Sequence, residues 1–205
     1  ARYVIPDYPQ DSGFELPGAQ AEKEMLEKIF NAKPIEPTKT AVIKELQSGG
    51  LDLLHFACHG ISEPDRIWNS SLLMQGKMQG NIYIQDKLTV NEVENYGNLN
   101  NGGSAPLVTL NACQIGRAGY SLTNTGGFAR AFMQAGAGAF IGTHWSIGDY
   151  SALIFSTTLY EQLKAGKNMV TALKAARQAS KNGNELSWLA YVVYADPCAT
   201  LNVLP

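Results

Sequence analysis

Two residues of this chain, His59 and Cys113, have the side chains of a base and a nucleophile, and each ends a short apolar run. The first run begins at Leu51 and the second at Pro106. Both runs have the length and composition of buried strands. Reactive groups collect beyond the carboxyl ends of the strands in a parallel sheet. Two neighbouring strands would therefore bring an imidazole and a thiol to one edge of the sheet.

These two groups suit acyl transfer through a thiolate. A cysteine attacks as its thiolate, and an imidazole can take the thiol proton and later return it to the leaving group. Backbone N–H groups can stabilise the oxyanion that forms. Gly60 leaves the backbone after His59 open to a substrate carbonyl. We expect Gly60 and the N–H of Cys113 to contribute to that stabilisation.

The composition is that of a globular protein of one domain. The 205 residues are 45% hydrophobic and 17% charged, with a net charge of −2. No run of Lys or Arg indicates a nucleic-acid surface, and no stretch approaches the roughly 18 apolar residues of a membrane span. No cofactor is expected, since Gly116–Gly119 matches neither the dinucleotide fingerprint nor the Walker pattern.

The N-terminus and the cysteines indicate the compartment. Ala1–Pro6 lacks the apolar region of a signal peptide, and the missing initiator Met suggests a domain taken from a longer protein. Three cysteines fit a reducing compartment better than a disulfide framework. We therefore expect a cytoplasmic protein.

Apolar periodicity predicts strands that alternate with helices. The predicted strands are Tyr3–Ile5, Leu51–Ala57, Pro106–Ala112, Gly138–Thr143 and Trp188–Tyr194. The predicted helices cover about 18–30, run from a cap at Thr38 to Gln47, and start near Phe128, at a cap on Asp149 and near Met169. This alternation predicts an α/β fold, with a mostly parallel sheet covered by helices on both faces.

Residues 61–87 interrupt the alternation, because they are polar and contain glycine. The pieces Ser71–Met74 and Asn81–Ile84 predict a small inserted antiparallel hairpin. Thr89 and Glu92 have the spacing of a capping box, so a short helix is expected to begin there.

Several segments match a known family in order and spacing. They are His55–Gly60, Leu110–Gln114, Gly127–Ala137, Ile141–Asp149 and Trp188–Pro197. On these segments the protein resembles a CHAT domain, and the resemblance covers nearly the whole chain. This is a bacterial branch of the caspase-like clan of cysteine peptidases, which includes caspases, metacaspases and separase.

The resemblance implies a caspase-like three-layer sandwich over residues 1–205, with the catalytic pair on loops after adjacent strands. His59 would be the general base and acid, and Cys113 the nucleophile, of a cysteine endopeptidase that acts on protein substrates. The family also implies a regulated effector in bacterial defence or programmed cell death, linked to a sensor or repeat domain. We expect residues 61–87 or 114–127 to form a switch that is disordered or displaced at rest.

Asn111, Trp145 and Asp149 are the expected substrate-binding residues. Asn111 lies two residues before Cys113, where caspase relatives place a residue of the pocket for the side chain before the scissile bond. The segment Trp145–Asp149 resembles a separase segment in which an acidic residue faces a basic substrate side chain. Cleavage after Arg or Lys is therefore expected. The structural alternatives are a plain helix cap for Asp149 and core packing for Trp145.

Other reactive residues have structural explanations. Cys58 and His55 suggest a metal site, but side chains alternate along a strand, so Cys58 and His59 point to opposite faces. We expect Cys58 to be a buried apolar residue, His55 a satisfied core histidine and His144 a pocket wall, with no metal bound. Two functional alternatives remain, namely a catalytically inactive interaction module of the same fold and a small-molecule-binding domain.

Overall fold

A computed structural model describes residues 1–9, 13–80, 82–114, 127–181 and 186–202, with only the backbone of residues 64, 113 and 114. The strands are β1 (Arg2–Val4), β2 (Lys33–Pro34), β3 (Leu53–Ile61), β4 (Ser71–Leu73), β5 (Lys77–Gln79), β6 (Ile82–Ile84), β7 (Lys87–Thr89), β8 (Leu107–Gln114), β9 (Ala139–Thr143) and β10 (Tyr191–Tyr194). The helices are α1 (Pro17–Phe30), α2 (Lys39–Ser48), α3 (Val90–Tyr96), α4 (Phe128–Gln134), α5 (Asp149–Lys164), α6 (Met169–Ala179) and α7 (Ser187–Ala190), with a 3-10 helix at Pro64–Asn69.

The main sheet is mostly parallel. Its strands follow the order β10-β9-β8-β3-β1-β2, and β4 pairs with both β3 and β7. Every neighbouring pair from β9 to β2 is parallel, whereas β10 and β4 join antiparallel. Strands β3 and β8 are therefore central neighbours.

Two apolar cores lie on opposite faces of this sheet. Alternate residues of β3 separate them, with Leu54, Phe56 and Cys58 in one core and Leu53 in the other. Helices α2, α3 and α4 cover the first core, while α1, α5 and α6 cover the second. The three-layer α/β architecture expected from the sequence is confirmed.

Several local predictions are also confirmed. Thr38 is the N-cap of α2 and accepts a hydrogen bond from the N–H of Ala41. Thr89 and Glu92 form the reciprocal capping box at the start of α3. These side chains satisfy backbone donors that a helix leaves unpaired at its first turn.

The predicted ends of the two central strands are wrong. Strand β3 continues through His59 to Ile61, because Gly60 and Ile61 pair with β4. Strand β8 likewise continues through Cys113 to Gln114. His59 and Cys113, expected on loops, therefore lie within the last residues of the strands.

The remaining differences are local. Ser71–Leu73 joins the main sheet as β4, so the inserted hairpin consists of β5 and β6 instead. The predicted strand at Trp188 begins only after helix α7. The N-cap of α5 is Gly148, one residue before Asp149. Residues 115–126, in the second predicted switch segment, lie outside the described residues.

A buried polar network joins the central strands to α1. The Oε2 atom of Glu22 in α1 accepts hydrogen bonds from His55 Nε2 of β3 and from Asn111 Nδ2 of β8, each at 2.7 Å. Glu22 is 3% exposed and His55 is fully buried. A buried carboxylate is tolerated only where it is paired and hydrogen-bonded, so these two bonds fix α1 across the two strands.

The same network continues into α5 and β10. Asn111 Nδ2 also donates to Ser156 Oγ at 2.7 Å, and Tyr191 Oη donates to Asn111 Oδ1 at 3.1 Å. His55 Nδ1 lies 2.7 Å from Tyr160 Oη. Burial raises the pKa of the Tyr160 phenol, which therefore stays protonated.

We predict that Glu22→Ala lowers the free energy of unfolding by about 3–5 kcal/mol, because it leaves buried donors of His55 and Asn111 unpaired. Chemical denaturation followed by circular dichroism measures the loss. Glu24→Ala is the matched control, since Glu24 is exposed on the same helix and its loss should cost no more than about 0.5 kcal/mol. Equal destabilisation by the two variants would contradict the structural role of the network.

Candidate active site

His59 and Cys113 are register partners on neighbouring strands. The parallel pairing of β3 with β8 aligns His59 with Cys113 and Gly60 with Gln114. Neighbouring strands lie about 4.8 Å apart. The backbone therefore brings the two predicted catalytic residues side by side at the carboxyl edge of the sheet.

The imidazole of His59 is fixed by a backbone carbonyl. Its Nε2 atom lies 2.8 Å from the carbonyl oxygen of Phe14. A carbonyl can only accept, so Nε2 carries a proton and donates it. The ring is 8% exposed and also contacts the rings of Tyr8 and Phe14, with centroids 5.1 and 5.8 Å away. The orientation of the ring is therefore determined before any substrate arrives.

The second nitrogen of His59 is available as a proton acceptor. With a proton on Nε2, the Nδ1 atom of the neutral ring holds the lone pair. In the part of the chain that the structure describes, Nδ1 is buried and has no hydrogen-bond partner. Nδ1 is therefore the ring nitrogen that could accept a proton from a nearby thiol.

Burial lowers the pKa of His59 below its ordinary 6.5, while the Phe14 carbonyl and the charge of Asp149 act in the opposite direction. Burial is the larger effect because it removes the solvation of the imidazolium. The ring is therefore neutral at physiological pH, which is the form that a general base requires.

Tyr8 supports the same strand end. Its hydroxyl donates to the carbonyl of Leu73 at 2.7 Å and accepts from the backbone N–H of His59 at 3.1 Å. Burial raises the pKa of the Tyr8 phenol, which keeps its proton. Tyr8 therefore connects the His59 backbone to β4.

A small cavity lies between the sheet and the starts of α1 and α5, and its lining includes Ala57, two residues before His59 on β3. Its volume is about 10 Å³, which is room for about one water molecule. The lining includes Glu22, Asn111 and Asp149, together with Ala57 of β3 and Leu16 before α1. Two carboxylates and one amide thus surround a cavity that has no basic residue in its described lining.

Asp149 touches another helix instead of capping its own. Its Oδ2 atom accepts a hydrogen bond from the N–H of Gly18, at the start of α1, at 3.1 Å. A Cβ at Gly18 would lie 2.5 Å from the Asp149 Cβ, so only glycine permits this approach. The contact holds the N-terminus of α1 against the cavity.

The structure brings some of the expected site residues together and separates others. Asn111 and Asp149 line the cavity, but Asn111 is 6% exposed and its amide is used by the buried network. Trp145 lies outside the lining and is 44% exposed. Gly60 lies within β3, between β4 and β8. His144 is exposed, and its N–H donates to Ala190.

The sequence analysis missed the contributions of Phe14 and Glu22 to the site. Phe14 acts through its backbone carbonyl, which no side-chain pattern reveals. Glu22 could have been found, because it lies three and four residues before Met25 and Leu26 on the apolar face of α1. A carboxylate on such a face is costly unless it has partners, and so it marks a polar site.

Cys58 and His55 do not form a metal site with His59. Cys58 is fully buried in the apolar core on the opposite face, as expected. Among the residues that the structure describes, no three His, Cys, Asp or Glu side chains are grouped so that they could hold a metal ion. None of the described helices is both long and apolar enough to cross a membrane.

Solved structures with a similar fold include cysteine peptidases. Gingipain R, an Arg-specific cysteine proteinase, superposes with a TM-score of 0.58 at 14% identity, over 99% of this chain and 48% of its own. The separase of Saccharomyces cerevisiae, in complex with securin, gives a TM-score of 0.57 at 14% identity, over 95% of this chain and 12% of its own.

The complex of the pro- and mature domains of RgpB from Porphyromonas gingivalis gives the same TM-score as gingipain R, 0.58, at 14% identity. This chain thus spans about half of the gingipain chain and a small part of separase. At these identities the likeness establishes the caspase-like fold. No curated protein matches the sequence.

The family model for the CHAT domain matches residues 6–196. This match includes both central strands and both predicted catalytic residues. The chain belongs to the CHAT domain family, with the fold of a caspase-like cysteine peptidase.

Proposed function

We propose that this protein is a cysteine endopeptidase that uses Cys113 as nucleophile and His59 as general base and acid. The observation that carries the proposal is the register of β3 and β8, which aligns a fixed, neutral imidazole with Cys113. Its Nδ1 atom, which has no hydrogen-bond partner among the residues that the structure describes, is the acceptor that the thiol needs. The family and fold support the same chemistry.

The reaction proceeds through a thioester. His59 Nδ1 takes the thiol proton of Cys113, and the thiolate attacks the scissile carbonyl carbon. As the tetrahedral intermediate collapses, the same nitrogen gives its proton to the leaving amine. Water, deprotonated by His59, then attacks the thioester and releases the acid and the free thiol. The N–H groups of Gly60 and Cys113 are the proposed oxyanion donors.

The proposed substrate has Arg or Lys before the scissile bond. Glu22 and Asp149 place two carboxylates at the cavity, and a guanidinium forms charge-assisted hydrogen bonds with such groups. Asn111 would line the same pocket, and Trp145 would contact the substrate nearby. A cavity of about 10 Å³ is far too small for an arginine side chain, so it must open on binding.

The closed cavity suits a regulated enzyme. We propose a cytoplasmic effector in bacterial defence or programmed cell death, controlled by a sensor or repeat domain. The gingipain and separase structures were solved with a pro-domain and with securin, respectively, which supports control by a protein partner. A catalytically inactive interaction module is the alternative, and the labelling experiment below distinguishes the two.

We predict that a thiol-reactive peptidyl probe with a terminal arginine labels the wild-type protein at Cys113. Cys113→Ala should abolish labelling and reduce peptide cleavage at least about a thousandfold, because no other described thiol lies at the site. Cys58→Ala is the control and should be labelled normally, since Cys58 is buried in the opposite core. Absence of labelling in wild type, alone and with its native partner domains, would favour the inactive module.

We predict that the His59 imidazole titrates below pH 6.5, because burial disfavours its charged form. Asp149→Asn should move the midpoint lower still, since the Asp149 charge favours the imidazolium. Proton NMR of the imidazole in a Cys113→Ala background measures both midpoints without interference from the thiol.

Asp52→Asn is the control for this titration. Asp52 directly precedes β3, at the opposite edge of the sheet, so its loss should leave the midpoint unchanged. A midpoint above 6.5, or an upward shift in Asp149→Asn, would contradict the electrostatic description of the site.

We predict that Asp149→Asn lowers the preference for arginine over a neutral side chain by about ten- to a hundredfold, the value of one charge-assisted hydrogen bond. The amide oxygen can still accept from Gly18, which preserves the contact with α1. A peptide library profiled with wild type, Asp149→Asn and Asp52→Asn measures the change. Unchanged selectivity in Asp149→Asn would remove Asp149 from the specificity pocket.

A further inference from the structure

A second concave site lies on the surface of α6, away from His59. This basic groove has a volume of about 330 Å³ and is lined by Lys174, Arg177 and Lys181, with Trp188 of α7 on one side. Val170 and Leu173 form its apolar end. No carboxylate is present in the described lining. The groove therefore combines three positive charges with an apolar end.

The described carboxylates do not neutralise these cations. Within the described ranges, none of the three forms a salt bridge with a carboxylate. Lys181 Nζ lies 5.2 Å from the centre of the Trp188 ring, an attractive contact that adds no negative charge. The described lining of the groove therefore carries a net positive charge.

Arg177 is held in place with an unused donor. Its Nη2 atom donates to the carbonyl of Tyr191 at 2.8 Å, which fixes the guanidinium against β10. Its Nε atom is buried and lacks a partner among the residues that the structure describes. The fixed guanidinium adds a positive charge at a defined position in the lining of the groove.

The spacing of the charges selects an extended ligand. Lys174 lies five residues before Ala179, the last residue of α6, which corresponds to about 7.5 Å along the helix at 1.5 Å per residue. Lys181 lies two residues beyond that end. Carboxylates on successive residues of a peptide can pair with both lysines at the same time. The apolar end at Val170 and Leu173 is suited to a hydrophobic side chain of the same peptide.

We infer that this groove binds an acidic polypeptide segment in which a hydrophobic residue precedes a run of carboxylates. The partner is a protein and not a nucleic acid for two reasons. The chain carries a net charge of −2, and the basic groove has only three cations, next to an apolar end. The inference is independent of the proposed catalysis, because the groove contains neither His59 nor Cys113.

The test uses fluorescence anisotropy with a labelled peptide in which leucine and phenylalanine precede several glutamates. The Cys113→Ala protein is used so that cleavage of the peptide cannot change its anisotropy. We expect saturable binding that weakens with added salt, and at least a tenfold loss in Lys174→Glu and in Lys181→Glu. Val170→Asp should weaken binding at the apolar end.

Lys44→Glu is the matched control, because Lys44 is an exposed lysine on α2 in the opposite layer. It should leave peptide binding unchanged. Three results would overturn the inference: no binding at millimolar peptide, an equal loss in Lys44→Glu, or tighter binding of a labelled thymidine oligonucleotide. Retained binding by a version of the peptide with glutamine in place of glutamate would also overturn it.

Discussion

The buried carboxylate of Glu22 fixes helix α1 relative to the two central strands, β3 and β8. Glu22 Oε2 lies between β3 and β8 and accepts from His55 on one strand and Asn111 on the other. Those strands carry His59 and Cys113 near their carboxyl ends, so the helix that carries Glu22 is fixed relative to both. The chain just before that helix supplies the Phe14 carbonyl that orients His59. Displacing α1 would therefore disturb the buried charge and the proposed base together, because Glu22 would lose its two partners and the Phe14 carbonyl would move away from His59.

The environment of His59 balances opposing effects on one proton. Burial favours the neutral ring, whereas Phe14 and Asp149 favour the charged ring, and burial prevails. A backbone carbonyl is a dipole and not a full charge, so it can orient the ring without holding it protonated. In the proposed reaction the imidazolium forms only transiently, and the charge of Asp149 then stabilises it. His59 is therefore a neutral base in the resting protein, and its protonated form is stabilised when it appears during the proposed reaction.

The sequence predicts well what depends on local pattern and poorly what depends on pairing. Strand and helix alternation, the cap at Thr38 and the capping box at Thr89 follow from residues that are close along the chain. The extension of β3 past His59 depends on β4, a partner that apolar periodicity does not identify. Asp149 caps α1 across the fold, and Phe14 contributes only its carbonyl. Such roles are set by tertiary contacts, which is why sequence patterns assigned Asp149 to its own helix and left Phe14 unnoticed.

A substrate arginine can compete for the contact that closes the cavity. Asp149 accepts one hydrogen bond from the N–H of Gly18, whereas a guanidinium can donate two parallel hydrogen bonds to a carboxylate and also carries a full positive charge. An arginine that replaced Gly18 would therefore interact more strongly with this carboxylate. The network around Glu22 involves several buried groups and would resist the same exchange. If the pocket opens, it should open at the N-terminus of α1 while the helix stays anchored at Glu22, so that Phe14 and His59 keep their bond through the exchange.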